Sequence, residues 1–348
     1  MEDVRLGFVG AGYMGQLAHL ANYDQIDDCS VVALGEPRTT LATRVAQRYD
    51  IPAVYDGYQS MLEEAELDAL VAAQPYDRYA AIVPDLLEAG IPLFTEKPVA
   101  VNPGTADELA SLAERADIPY MVGYHKRSDP AMVSAKQVVN QWRDSGEYGT
   151  LRYVRITIPE GDWIAGAPSP ITTDEEPPQA EMEPLPADLD DEVAEAYNAF
   201  INYYIHQVNA LRFFFDEPYD VSYADTDGRL LIAESESGVT GTIELSPYQI
   251  STGWHESILV GFDHGSVRIA LPAPLESQRA GRVEVMRDDG DGEQQTTRPA
   301  MPPKSAMRAQ AENFIAVVRG ERDPPCDVTE GALDLHVARA YIARRWGQ

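Results

Sequence analysis

The chain has 348 residues, enough for two domains with sizeable cores. Its 57 aspartates and glutamates stand against 27 lysines and arginines, a formal net charge of −30. That excess argues against nucleic acid and anionic membranes as partners, since both require basic patches. Two cysteines, Cys29 and Cys326, supply neither a disulfide framework nor a C-x-x-C metal knuckle. No apolar run reaches the ~18 residues that span a bilayer, and the chain opens on Met-Glu-Asp and a strand rather than a basic, apolar leader. The expected location is the cytoplasm.

The first ~120 residues alternate strand and helix. Strands are expected at 4–9, 31–34, 53–55, 69–73, 93–95 and 120–122, with helices at 14–23, 39–49, 58–64, 79–89 and 105–116 between them. Such alternation predicts an α/β architecture, a doubly wound parallel sheet covered by helices on both faces. After Gly123 the texture changes. A helix is expected over 130–143 and an alternating, half-buried strand over 151–158. Short β-prone runs from Val221 to Val285, separated by Gly, Asp and Pro, predict one large, mostly antiparallel open sheet in an α+β domain. The polar stretch 287–298 reads as a hairpin tip, and helices at 305–319 and 329–345 follow. The expected division is therefore a dinucleotide-binding domain over 1–122 and an α+β domain over 123–348. Residues 165–195 carry six prolines and ten acids with little apolar periodicity, and read as a long loop, disordered or a mobile flap.

Gly10-Ala11-Gly12-Tyr13-Met14-Gly15 is a G-x-G-x-x-G between a strand and a helix, the setting in which the pattern has a mechanism. Gly10 permits the tight turn, Gly12 lets backbone approach a pyrophosphate, and Gly15 lets helix and strand pack closely. The phosphates would sit on free N–H groups at the helix N-terminus. Glu36 stands just past the second strand, where the fingerprint requires an acid for the ribose hydroxyls. Its charge favours NAD; Arg38, two residues on, leaves NADP open. Gln74 and Glu96 complete the expected cofactor contacts.

Thr95-Glu96-Lys97-Pro98 follows the fifth strand. Strand carboxyl ends in such a sheet face the ligand crevice, so Lys97 is expected to point at the cofactor, where it can polarise a substrate hydroxyl or join proton transfer. Pro98 allows a cis bond after Lys97. Residues 198–212 read as one helix with Asn202, His206 and Asn209 on one face, and His206 suits acid–base work near neutral pH. Lys126 and Arg127 are candidates for reaching a substrate, and Trp163 for stacking on a sugar ring. The other histidines lack ligand spacing, so no metal is expected.

Taken in order, Gly10–Gly15, Glu96-Lys97-Pro98, Gly123-Tyr-His-Lys-Arg-Ser-Asp-Pro130 and His206-Gln-Val-Asn-Ala-Leu-Arg212 resemble the glucose–fructose oxidoreductase/inositol dehydrogenase (Gfo/Idh/MocA) family. The resemblance covers nearly the whole chain. It implies an N-terminal Rossmann domain, a C-terminal domain that serves substrate binding and oligomerisation and whose open sheet forms a homodimer or homotetramer interface, and NAD(P)-dependent oxidation or reduction of a sugar, polyol or cyclitol. It makes Lys97 the catalytic lysine and His206 the acid/base histidine. Two positions depart from the pattern. Asn202 stands where the family often has aspartate, which puts a Lys–Asp–His relay in doubt and suggests a substrate-positioning role. Tyr79 stands where many relatives carry histidine. Two other functions compete: a redox-neutral glycosidase that retains NAD, and a non-catalytic, NAD(H)-binding regulator.

The acidic excess, with only four lysines (Lys97, Lys126, Lys136 and Lys304), also resembles proteins of extreme halophiles, whose hydrated carboxylates keep the surface soluble in molar salt.

Overall fold

Six short strands form the sheet of the N-terminal half, the central ones buried on both faces, as parallel strands under helical cover must be, and the edge strand Ala53–Tyr55 half-exposed. In the computed structural model, which describes residues 3–290 and 292–347, these are β1 (Val4–Val9), β2 (Cys29–Gly35), β3 (Ala53–Tyr55), β4 (Ala69–Ala72), β5 (Leu93–Thr95) and β6 (Tyr120–Val122). They pair in parallel in the order β3-β2-β1-β4-β5-β6. The order reverses between β1 and β4, the point at which open α/β sheets hold ligands. A π-helical segment (Gly15–Leu20) runs into α1 (Ala21–Tyr23), and α2 (Thr39–Arg48), α3 (Tyr58–Glu64), α4 (Tyr79–Glu88) and α5 (Pro103–Ala116) complete the crossovers.

The chain divides into two units that are not its contiguous halves. The first unit takes Met1–Tyr124 together with residues 167–189 and 310–335. The reason is apolar in one case and polar in the other. Ala311, Phe314 and Ile315 of α9 (Ala306–Val318) join Leu6, Phe8, Val71 and Phe94 in one core, and the Phe94 and Phe314 rings lie 5.6 Å apart. Residues 167–189 lack regular structure but are tied to the first unit by hydrogen bonds described below. The expected disordered loop over 165–195 is thus an ordered strap, and its end is helix: Asp190 accepts the Val193 N–H and caps α7 (Asp191–Tyr203).

The second unit is built on an eight-stranded sheet in the order β14-β13-β12-β11-β7-β10-β9-β8. Its strands are β7 (Leu151–Glu160), β8 (Tyr219–Ala224), β9 (Leu230–Ser235), β10 (Thr240–Gln249), β11 (Glu256–Phe262), β12 (Gly265–Leu271), β13 (Arg282–Asp288) and β14 (Gln294–Thr297). All pairs are antiparallel except β7 with β10. β11 alternates buried and half-buried residues along its length, the signature of a sheet covered on one face. α6 (Pro130–Ser145) and α8 (Ile205–Phe215) pack against the sheet, and α10 (Val328–Trp346) closes the chain. The single helix expected over 198–212 is two helices. Tyr204, with φ −99° and ψ −2°, separates α7 from α8. Its ring lies against Phe200 and Tyr203, and its hydroxyl bonds Ser246 on β10, so tertiary packing turns the chain there.

Candidate functional site

Within the first unit, the three glycines of the β1 loop are held by three different constraints. Gly10 has φ +92°, and a Cβ there would fall 2.0 Å from Gln74 Nε2 and 2.8 Å from the Ala73 carbonyl. A Cβ on Gly15 would meet the Gly10 carbonyl at 2.6 Å. A Cβ on Gly12 would meet nothing within 4 Å. Gly12 therefore borders open space at the mouth of the crevice, beside the start of a helix whose first N–H groups have no intrahelical partner. That is a cradle for phosphate, and it fits a dinucleotide. Ala11 is buried, Tyr13 exposed and Met14 half-buried.

Glu36, at the end of β2, is 3% exposed and fully engaged. Its Oε2 accepts the Ala11 N–H at 2.8 Å, and both carboxylate oxygens receive the Arg38 guanidinium, at 2.7 and 2.8 Å. Burial pushes the carboxyl pKa up, but the Arg38 guanidinium and the Ala11 and Arg38 N–H groups outweigh it and hold Glu36 below the usual carboxylate range.

At the other side of the crevice, the Tyr79 hydroxyl donates to the Ala72 carbonyl at 3.1 Å and receives the Glu96 N–H at 3.0 Å, joining the ends of β4 and β5. The Gln74 N–H points at the same oxygen, at 3.4 Å. Glu96 Oε1 lies 2.8 Å from Nε2 of the buried His19, and Glu96 Oε2 accepts the Lys97 N–H. Lys97 is half-buried and precedes a cis peptide bond to Pro98. The first unit thus brings together every expected cofactor residue: the Gly10–Gly15 loop, Glu36, Arg38, Gln74, Glu96 and Lys97.

The second unit gathers a separate set. His125–Ser128 form one buried 3-10 turn. The His125 and His206 rings stand edge-on, 4.6 Å apart. The Arg127 Nε donates to Asn209 Oδ1 at 2.7 Å. Lys126, expected to reach a substrate, is 5% exposed with its Nζ 2.6 Å from Glu256 Oε2. Gln207 and the Trp254 indole also donate to Glu256, so this buried carboxylate is satisfied on all sides. Asn202 lies exposed on the last turn of α7, separated from His206 by the break at Tyr204. Trp163, 40% exposed, sits in a turn after β7.

Sequence reasoning missed Tyr79 and His19 as braces, Glu256 as the partner of Lys126, and two strap acids. Glu175 accepts the N–H groups of Thr40 and Leu41 and the Thr40 hydroxyl at 2.9–3.1 Å. Glu183 accepts the N–H groups of Val101 and Asn102 at 2.7 and 3.0 Å. Glu175 caps the first turn of α2, and Glu183 ties down the two residues that lead into α5, each from more than 80 residues away. No local pattern marks such long-range bonds.

The profile of the oxidoreductase family with an NAD-binding Rossmann fold (Gfo/Idh/MocA) matches residues 4–124. The rhizopine catabolism protein MocA of Rhizobium meliloti is 24% identical, over 98% of this chain and 94% of its own. An inositol 2-dehydrogenase of Rhizobium meliloti (strain 1021) is 23% identical, over 97% of this chain and 96% of its own. The crystal structure of an oxidoreductase from Agrobacterium radiobacter in complex with NAD+, L-tartaric acid and magnesium superposes with a TM-score of 0.72. It is 13% identical and covers 99% of this chain and 97% of that one; at this identity the likeness establishes the fold. Among the described residues no three His, Cys, Asp or Glu side chains cluster as metal ligands, and no helix is long and apolar enough to cross a membrane.

Proposed function

We propose, from the match of residues 4–124 to the profile of the oxidoreductase family with an NAD-binding Rossmann fold (Gfo/Idh/MocA), that this protein is a cytoplasmic NAD(P)-dependent dehydrogenase acting on a CH–OH carbon of a sugar, polyol or cyclitol. The observation that carries the reading is the position of Lys97 on the carboxyl edge of the sheet. Strand order puts Glu36 on one side of the Gly10–Gly15 loop and Lys97 on the other. Neighbouring strands lie about 4.8 Å apart, so the ends of β1 and β5, two strands removed, are about 10 Å apart. An extended dinucleotide with its pyrophosphate at Gly12 and its adenosine ribose at Glu36 directs its other end toward Lys97. The cofactor, when bound, accepts or donates the hydride. The chain supplies the rest. Gly12 admits the pyrophosphate, Glu36 takes a ribose hydroxyl, and the Glu96 main chain is fixed by Tyr79. Lys97 Nζ stabilises the developing alkoxide on the substrate oxygen, and His206 exchanges its proton. Asn202 and Trp163 are the remaining candidates for substrate contact, and Lys126 supports the site through Glu256. The fold family's open sheet supports a homodimer or homotetramer. The charge of −30 and the four lysines support an extreme halophile as the source.

A second reading, a redox-neutral enzyme that keeps its NAD, draws support from the strap of residues 167–189, which is bonded to α2 and to the residues before α5 at the same edge of the sheet. One experiment separates the two. Purified protein in roughly 2 M KCl, which screens the acidic surface, is offered inositols, sugars, polyols and sugar acids with NAD or NADP. A substrate-dependent rise in reduced-nicotinamide absorbance supports the dehydrogenase. Tight copurified cofactor without net reduction supports the second reading. Cofactor binding with no turnover of any kind would leave a non-catalytic NAD(H) sensor.

A further inference from the structure

The groups around the end of β2 that would receive a 2′-phosphate are already taken by carboxylates. A dinucleotide on the β1 loop places its adenosine ribose at the end of β2. A 2′-phosphate there would emerge beside Glu36, Arg38 and the first turn of α2. Arg38, the natural partner of such a phosphate, is held by both oxygens of Glu36. The α2 N–H groups of Thr40 and Leu41, with the Thr40 hydroxyl, are held by Glu175. Thr173 bonds the same carboxylate, and Arg38 adds attraction from the side. Glu175 is delivered by chain that runs along α2. The Ser169 carbonyl accepts from Arg48 and the Thr172 carbonyl from Arg44, while the Ile171 N–H donates to Gln16 just after Gly15. Its carboxyl is kept below the usual range chiefly by the Thr40 N–H, so it stays charged at neutral pH.

We infer that Glu175 is a specificity residue of the cofactor site, occupying the anion position at the start of α2 so that the protein accepts NAD(H) and rejects NADP(H). With Glu36 it places two negative charges around the single positive charge of Arg38. A 2′-phosphate must expel one carboxylate or meet both. An unphosphorylated ribose needs neither change. The selectivity comes from a segment about 135 residues away in sequence, not only from the acid that ends β2. The inference rests on the dinucleotide reading of the Gly10–Gly15 loop.

The test is binding of NADH and NADPH, by nicotinamide fluorescence and calorimetry, to the wild-type chain, Glu175→Gln, Glu175→Ala and Glu183→Gln. Hydrogen bonds to a charged group are worth about 1.5–3 kcal/mol each, or roughly 10–100-fold in affinity. The wild type should prefer NADH by at least that range. Both Glu175 variants should narrow the preference at least about tenfold by gaining NADPH affinity. Glu183→Gln, which loosens the strap at its other end, should leave the ratio unchanged. ADP-ribose and its 2′-phosphate, competed against NADH on the wild type, repeat the test without any substitution. A wild type that prefers NADPH or binds the two phosphorylation states alike would overturn the inference, as would a ratio unmoved by both Glu175 variants. If the wild type binds neither dinucleotide, the cofactor reading itself fails and the inference falls with it. Binding with equal affinity leaves that reading standing and removes only the role of Glu175.

Discussion

The Ala11 amide donates to Glu36 Oε2 at 2.8 Å, so the loop that would cradle the pyrophosphate is braced by the acid that would hold the ribose. Ionised Glu36 holds the loop geometry and, on the proposed reading, would also hold the cofactor. Its pKa is depressed in the folded chain, so its stabilisation is complete above the unfolded value. It is lost only as pH falls through the lower folded value. NADH affinity should stay level as pH is lowered through the ordinary glutamate range and fall only beneath it. A loss of affinity centred above the ordinary value of 4.5, in a fluorescence titration across pH, would contradict this account of Glu36.

Gly12→Ala and Gly15→Ala should fail differently. The added methyl on Gly12 meets open space, so thermal stability should hold while dinucleotide affinity drops at least about tenfold through lost backbone approach. The methyl on Gly15 meets the Gly10 carbonyl at 2.6 Å, so that variant should lose stability as well, by about 1–3 kcal/mol. Calorimetric melting paired with NADH titration separates them; equal melting points would refute the steric account.

Lys97→Met should reduce turnover of whichever substrate the screen identifies by about 10²–10³-fold, the usual worth of one donor to a developing oxyanion. Cofactor affinity should remain within about tenfold, since the loop and Glu36 supply that binding. Near-normal turnover in this variant would remove Lys97 from the chemistry.

Lys126→Met should destabilise the second unit by about 3–5 kcal/mol, because it strands the charge of Glu256, which is 1% exposed. Lys126→Met with Glu256→Gln should recover part of that loss, since no charge is stranded, although the one amide oxygen can accept from only one of the two donors, Gln207 and Trp254, that now bond separate carboxylate oxygens. Urea unfolding of the two variants decides it. A double variant as unstable as the single one would show that the ion pair is not what the lysine provides.

With a net charge of −30, the chain repels itself at low ionic strength. Raising KCl from about 0.1 M to about 2 M shortens the screening length from about 10 Å to below 3 Å, so the melting temperature should rise. A melting temperature that stays flat or falls across that range would argue against charge repulsion as a limit on stability.

The meeting of the Gly10–Gly15 loop with Glu36 was legible in the sequence because its parts are local. The glycines are fixed by one turn and Glu36 by the end of the next strand, and the spacing of both follows from the βαβ geometry. The parallel first sheet and the mostly antiparallel second sheet followed from alternation and turn residues in the same way. What resisted reading is what distant chain decides. Glu175 and Glu183 look like any acids in a proline-rich stretch until the N–H groups they hold are known. Tyr204 has no helix-breaking signature; Ser246 and the neighbouring rings turn the chain there. Lys126 reads as a residue that reaches a substrate because its partner, Glu256, lies 130 residues on.

The stitching of the first unit from three stretches of chain also bears on how the protein is made. During synthesis, the β1 loop leaves the ribosome long before residues 167–189 and 310–335 exist to complete its surroundings. Phe94 waits for Phe314, and the Val122 amide waits for the Cys326 carbonyl at 3.0 Å. A nascent chain paused near Tyr124 therefore holds an unfinished core, with the exposed apolar surface on which aggregation and chaperone capture act. Expression of residues 1–124 alone would reproduce that stalled intermediate rather than a free-standing nucleotide-binding domain.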